Sequence, residues 1–302
     1  MTIEPAESDG PPEPAPFVLR DPLPAVLGSA SSVAEYARSL EHGSGPLAID
    51  AERASGFRYS QRAYLVQLRR EGAGTALIDP IGLDDLSAIQ EATRGVEWIL
   101  HAATQDLPCL AELGMVPDQL FDTELAGRLL GRERVSLSAL VRSELGEVLV
   151  KGHGAADWSK RPLSHDMLMY AALDVELLIE LRNSLETSLR AADKWDIAQQ
   201  EFASVMGFSP RSRGDEGWRR TSGLHKVRNP RDRAAVRELW TTRDDLARET
   251  DIAPGRILPD AAIIAASVGH PSSIDELLGL DGFHGRGAGR YSRRWWAALQ
   301  KA

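Results

Sequence analysis

The chain has 302 residues, enough for two domains, and 43% of them are hydrophobic, so it can bury a substantial core. No apolar run approaches the roughly 20 residues that cross a bilayer, and the N-terminus lacks the basic start and apolar centre of a signal peptide, so the expectation is a cytoplasmic protein with no membrane partner. A single cysteine, Cys109, excludes intramolecular disulfides and multi-cysteine zinc sites and fits a small core residue in a reducing compartment. The net charge of −9 counts against nucleic acid as a partner, but its distribution changes that reading. Residues 205–302 hold 17 Lys+Arg against 12 Asp+Glu, or +5, leaving 18 against 32, or −14, for residues 1–204. An acidic half joined to a basic half suits an enzyme that holds cations in one and grips an anionic polymer with the other, although two solvated faces would look the same.

Residues 1–16 are rich in Pro, Glu and Ala and are expected to be a disordered tail. Ser32 and Glu35 read as a capping box for a helix carrying Val33, Tyr36, Ala37 and Leu40, which Gly43 stops. Three strand-like runs follow, Leu47 to Ala51, Ala63 to Arg69 and Thr75 to Asp79, with links short enough for an antiparallel meander. From Asp84 the pattern becomes helix, strand (Val96 to Leu100) and helix, the signature of parallel crossovers. Asp122 or Thr123 then caps a helix through Leu129 and Leu130, which makes Asp122 a structural carboxylate. Further helices are expected over Ser136 to Leu145, from Ser164 through Leu181, and over Trp195 to Met206. The fold class is therefore α/β plus all-α: a mixed sheet flanked by helices over residues 17–204, a linker over 205–223 and a helical domain over 224–302.

Candidate chemistry begins at Pro46-Leu47-Ala48-Ile49-Asp50-Ala51-Glu52. A strand's period of two aims Asp50 and Glu52 at one face, and two like charges at a strand end are costly without a cation between them. An Asp-x-Glu can also be a solvated turn, so its weight comes from the rest of the chain. Asp106 follows a buried strand at the start of a helix, where the macrodipole favours a carboxylate in any case. Tyr170 and Asp174, four apart on a helix, share a face, although Tyr170 alone reads as a half-buried aromatic.

In this ordered set the chain resembles the DEDD superfamily of 3′-to-5′ exonucleases, in the branch whose last motif carries tyrosine, and within it the ribonuclease D family. Asp50 and Glu52 match the first motif, Asp106 the second, and Tyr170 with Asp174 the third. The text between them is similar too, in Tyr64-Leu65-Val66-Gln67-Leu68, Phe121-Asp122-Thr123, Asp157-Trp158-Ser159 and Arg161-Pro162-Leu163. The likeness spans about residues 46 to 185 and implies a ribonuclease-H-like fold with a five-stranded mixed sheet and the site at its edge. One departure is Ala51, where the family often has threonine or leucine, a difference that touches packing more than chemistry.

Phosphodiester hydrolysis needs a nucleophilic water, neutralised phosphoryl charge and help for the leaving oxygen, which two hard cations about 3.5–4 Å apart supply. Carboxylates suit Mg²⁺ or Mn²⁺. In this reading Asp50 and Asp174 hold one ion, Asp50 bridges to a second with Asp106, and Glu52 is on the water side. The resemblance implies that Tyr170 lies against the attacking water, and a phenol with an ordinary pKa near 10 positions that water rather than deprotonating it. His101 reads as a strand-end histidine rather than a ligand. Lys151, Lys160 and Arg161 precede the tyrosine helix and could touch phosphate or solvent; Trp158 could stack on a base or anchor its loop. Gly285-Arg286-Gly287-Ala288-Gly289 lacks the Gly-Lys-Ser/Thr of a P-loop, so no nucleotide triphosphate is expected.

Residues 224–302 resemble one HRDC domain, the helical module shared by ribonuclease D and RecQ-type helicases, with Ile257-Leu258-Pro259-Asp260 as the main local signature. Arg293 and Arg294, beside Tyr291, Trp295 and Trp296, are candidates for pairing and stacking with single-stranded RNA, with at least one Trp in the core. The expected partner is the 3′ end of single-stranded RNA, with DNA open because nothing identifies a 2′-hydroxyl reader, and a non-catalytic RNA scaffold as the contrasting alternative.

Overall fold

A computed structural model describes residues 15–150, 152–209, 216–283 and 285–302. Most of the expected disordered tail and Lys151 lie outside the described residues. No described helix is long and apolar enough to cross a membrane. The chain divides into two compact units, the first built from 1–52, 64–154 and 162–208, the second from 53–63, 155–161 and 209–302.

The first unit is organised on a six-stranded mixed sheet of order β1-β4-β3-β2-β5-β6. Its strands are β1 (Val26–Leu27), β2 (Ser44–Arg53), β3 (Ala63–Glu71), β4 (Gly74–Ile78), β5 (Glu97–Leu100) and β6 (Gln119–Asp122). β3 and β4 pair antiparallel, while β2 with β5, β5 with β6, and β1 with β4 pair parallel. Two strands escape the sequence pattern. β1 is two residues long, too short to show any period, and β6 runs straight into the helix that Asp122 caps.

Helix α1 (Ala30–Glu41) starts three residues before the expected capping box. Its cap is Ser29, which exchanges bonds with Ser32, because the backbone turns extended at Ser29 (φ −131°, ψ 150°). Two short helices follow, α2 (Ser87–Ala92) and α3 (Leu107–Ala111), and then α4 (Thr123–Leu129) and α5 (Leu137–Leu145), the last ended by Gly146 in the left-handed conformation that glycine tolerates (φ 78°). The helix expected from Ser164 through Leu181 is two, α6 (His165–Glu176) and α7 (Leu178–Ala191), broken at Leu177 (φ −107°, ψ 5°). No Gly or Pro marks that break. Glu176 and Leu178 flank it, and α8 (Trp195–Met206) then closes a core in which Phe121, Leu140, Val175, Leu181, Leu185 and Phe202 are buried together.

In the second unit, α9 (Pro230–Thr250) is capped by Asn229, whose side chain accepts from Arg231 N at 2.9 Å, with Pro230 in the first turn. There follow α10 (Pro254–Ile257), α11 (Asp260–Gly269), α12 (Ile274–Leu278), α13 (Arg286–Arg290) and α14 (Ser292–Lys301). Val236, Leu239, Ile263, Leu277 and Trp295 make its core, joined by Trp218 and Leu224 from two short 3₁₀ turns within the expected linker and at its end. Segment 53–63 belongs here although the expected nuclease span runs through it. Tyr59 Oη donates to Asp244 Oδ2 at 2.9 Å, Ser60 N to Asp251 Oδ1 at 2.8 Å, and Arg256 Nε to the Gly56 carbonyl at 2.7 Å. The Phe57 carbonyl accepts from Ala253 N at 3.0 Å. Arg58 Nε reaches Ser159 Oγ at 2.8 Å, linking the second captured segment to the first.

Asp122 is buried, and its Oδ1 accepts from Glu124 N, Leu125 N and Ala102 N at 2.9–3.1 Å while Oδ2 accepts from Ala103 N at 2.9 Å. One carboxylate thus caps α4 and fixes the turn at Ala102, whose φ of 59° is a strained value for alanine. Hydrogen bonds to a charged group contribute about 1.5–3 kcal/mol each, so Asp122→Ala should lower stability by about 3 kcal/mol or more, with Asp122→Asn in between. Denaturant unfolding at constant slope measures this, and a cost under about 1 kcal/mol would refute the assignment.

Candidate active site

β2 delivers Asp50 half-buried and Glu52 buried, two residues apart and so on one face, as the pleat requires. α6 delivers Asp174, and the carboxylate oxygens of Asp50, Glu52 and Asp174 lie within 4.8 Å of one another. Burial and then the Asp50 charge push the Asp174 carboxyl well above its ordinary range, a shift opposed by the hydrogen bond donated by the Tyr170 hydroxyl. Acids held this close together favour a positive charge among them. Three hard oxygen donors at this spacing fit a divalent cation such as Mg²⁺ or Mn²⁺, and Asp50, Glu52 and Asp174 are the residues that would hold it.

Tyr170 is half-buried, one turn before Asp174. Burial, followed by the charges of Asp174, Glu52 and Asp50, raises its pKa far above the ordinary 10, so the phenol is neutral at physiological pH and acts as a donor. The ring stands edge-on to His153, with centroids 5.8 Å apart and planes at 73°, and a Cβ added to Gly154 would lie 3.4 Å from the hydroxyl. His153 escaped the sequence reading. Its only signal there is a glycine on either side in a loop ahead of the tyrosine helix.

Asp106 is buried and is not part of the three-carboxylate cluster. It occupies the cap position of α3 with an αR backbone, where the helix-start reading puts it, although its side chain makes no capping bond to that helix. His101 pairs through Nδ1 with Thr123 Oγ1 at 2.9 Å, burial pushes its imidazole below the ordinary value, and it stands apart from the cluster. Trp158 is fully buried, which corrects the expectation that it could stack on a base. Lys160 is exposed, 3.9 Å from Asp157, and Arg161 donates to the carbonyls of Trp158 and Lys160. In the second unit Arg293 and Arg294 are exposed, Arg294 pairing with Glu249 at 2.9 Å, while Trp295 is buried and Trp296 half-buried.

The family model for 3′-5′ exonucleases matches residues 27–190, and that for the HRDC domain matches 232–299. The chain is 30% identical over 255 residues to ribonuclease D of Cronobacter turicensis, covering 80% of this chain and 68% of the relative. The chain belongs to the ribonuclease D family. A protein of Bifidobacterium adolescentis has the same fold at a TM-score of 0.85 and 39% identity, covering 94% of this chain and 75% of that one. Escherichia coli RNase D, an exoribonuclease involved in structured RNA processing, follows at 0.72 and 25%, covering 92% and 74%. This family member spans 61% of the length of its relative in Shewanella sp. strain ANA-3 and 58% of that in Bartonella henselae.

The proton affinity of Asp174 makes a prediction for this ribonuclease D family member in chelator. A carboxyl whose folded pKa is raised contributes stability below its unfolded pKa, about 3.9, and loses it as pH rises through the folded value. Asp174→Asn should therefore unfold at a higher temperature than the parent at pH 7, with the gap closing below pH 4. Mg²⁺ or Mn²⁺ at a hundred times its dissociation constant should stabilise the parent by about 2.7 kcal/mol and the variant far less. Equal stabilisation of both would remove Asp174 from the ligand set.

Proposed function

We propose that the chain is a metal-dependent 3′-to-5′ exoribonuclease that trims the 3′ ends of structured RNA such as tRNA precursors in the cytoplasm and releases nucleoside 5′-monophosphates. The observation that carries this reading is the three-carboxylate cluster with a neutral tyrosine hydroxyl bonded to one member. Residues 17–204 form the nuclease domain and 224–302 the HRDC domain in this reading, with two nuclease segments folded into the second unit.

Asp50, Glu52 and Asp174 bind the cations, with Asp106 as a further carboxylate for the second ion. Bound there, two divalent ions supply an activated water and offset the charge on the phosphoryl and leaving oxygens. Tyr170, kept protonated by burial and by its three carboxylate neighbours, gives its one proton to Asp174 before a cation binds there, and turning that proton to the water would orient the water rather than deprotonate it. His153 restricts the phenol to one rotation by packing on its edge.

The test is an end-labelled single strand offered as RNA and as DNA. Shortening from the 3′ end should need Mg²⁺ or Mn²⁺, vanish in Asp50→Asn and fall about 10²-fold in Tyr170→Phe, whose metal-induced rise in melting temperature stays at the parent's value. Undiminished hydrolysis in chelator, or parental turnover in Tyr170→Phe, would reject the corresponding role, and faster cleavage of DNA would move the substrate class.

The grip on the strand is assigned to the second unit. Grouped by compact unit, the charges divide more sharply than along the sequence: the second unit holds 22 Lys+Arg against 13 Asp+Glu, or +9, and the first 13 against 31, or −18. In the full chain, Arg293→Gln with Arg294→Gln should weaken long single-stranded RNA and reduce its log–log salt slope by about 0.7 for each phosphate no longer neutralised. A three-nucleotide substrate should be cut as before. An unchanged salt slope would take these two arginines out of the RNA path.

A further inference from the structure

The first unit contains a cavity of about 410 Å³ bounded by the turn after α4, the face of α5 and the approach to residue 150, and no member of the carboxylate cluster lines it. Its chemistry is opposite to that of the unit around it. Arg132, Arg134 and Arg142 face it, with Glu133 as the one acid among the described residues that line it, a local +2 in a unit of −18. Three guanidinium groups around one concavity repel each other, and the usual remedy is a carboxylate for each. Among the described residues only Arg132 has one, Glu144 at 2.8 Å, which is itself buried and held by Ser184 at 3.0 Å. Arg134 and Arg142 make no ion pair or side-chain hydrogen bond to any described residue.

The hydroxyls fit the same pattern. Ser136 and Ser138 line the cavity, and Ser136, although it is the cap residue of α5, makes no side-chain bond to that helix, so its oxygen is not committed to the helix. Two guanidinium groups, two hydroxyls and a third arginine pinned in place by Glu144 are thus presented to one space with few acceptors of their own. Phosphate is the anion whose tetrahedral oxygens take paired N–H donors from several arginines at once. The volume lies within the range of small-molecule sites, and Ala139, Val148 and Leu149 give it an apolar wall for something larger than the bare ion.

We propose that this cavity is a second anion site of the nuclease unit, separate from the carboxylate cluster, that takes the phosphate group of a ligand of mononucleotide size. The site stands on its own residues and does not depend on the exonuclease reading. A mononucleotide is favoured over a strand because the arginines surround one concavity instead of forming a stripe.

The test uses the full chain carrying Asp50→Asn, in chelator, so that phosphate is not recruited through cations at the carboxylates. Inorganic phosphate, a nucleoside 5′-monophosphate and a 3′-blocked single-stranded RNA are titrated by calorimetry. Arg134→Gln and Arg142→Gln change exposed side chains without partners among the described residues and should leave the fold intact, as their melting temperatures will show. The expected result is saturable binding of the monophosphate, tighter than inorganic phosphate, weakened about tenfold or more by each substitution, with exposed Arg237→Gln in the second unit as a silent control. Binding of the RNA alone, lost in the same two variants, would keep the anion site and make a strand its source. No saturable binding of any probe, or binding indifferent to both substitutions, overturns the proposal.

Discussion

Carboxylate oxygens within 4.8 Å of one another repel, and the fold must hold Asp50, Glu52 and Asp174 together before any cation is bound. Two of the three are placed by covalent geometry, since the pleat of β2 fixes them on one face. The third depends on α6 staying against the sheet. Ala171, Ala172 and Val175 bury that side of the helix, and Glu176, two residues beyond Asp174, pairs with Arg69 of β3 at 3.2 Å with both groups largely out of water. Breaking a buried pair of this kind costs about 3–5 kcal/mol because it strands a charge, so the Arg69–Glu176 pair helps hold α6 against the repulsion two residues away.

The same repulsion links protonation to the site's use. The proton affinities of Asp174 and Tyr170 are both raised, and both effects arise from burial plus the neighbouring acids. A phenol pushed further from ionisation has almost no phenolate available to take a proton, and its O–H stays in place as a donor. The electrostatics therefore favour an orienting role for Tyr170 on grounds that do not involve the family.

Where a feature depends on period or on a cap, the sequence displays it. The Asp50–Glu52 pair on a strand, the Tyr170–Asp174 pair on a helix, the capping Asp122 and the helix Trp195–Met206 all follow from side-chain spacing and local hydrogen bonding. What the sequence hides is set by tertiary packing. The break at Leu177 lies between Glu176 and Leu178 with no Gly or Pro to mark it, β1 is too short to carry a period, and His153 reaches Tyr170 only because a loop folds over the helix. Trp158 shows the limit from the other side. An aromatic in a polar, glycine-containing loop can serve a base or a core; anchoring the loop is the better reading of the sequence, and its complete burial agrees.

Segment 53–63 changes how the two halves can be separated. It begins at the residue after Glu52 and contributes Arg53, Arg58 and Arg62 with no acid, and four of its groups bond to α9, α10 or the turn between them. Its tyrosine and phenylalanine also lie under guanidinium groups, Arg248 at 5.8 Å from the Tyr59 ring and Arg256 at 3.9 Å from that of Phe57. A deletion that removed residues 224–302 would leave those donors, acceptors and rings without partners on a stretch joined directly to a proposed ligand. Loss of hydrolysis after such a deletion would therefore carry no information about RNA grip, because it would follow equally from a disordered 53–63 pulling on the end of β2. Point substitutions on the exposed arginines of α14 leave every one of those bonds in place, which is why they, and not truncation, separate binding from catalysis.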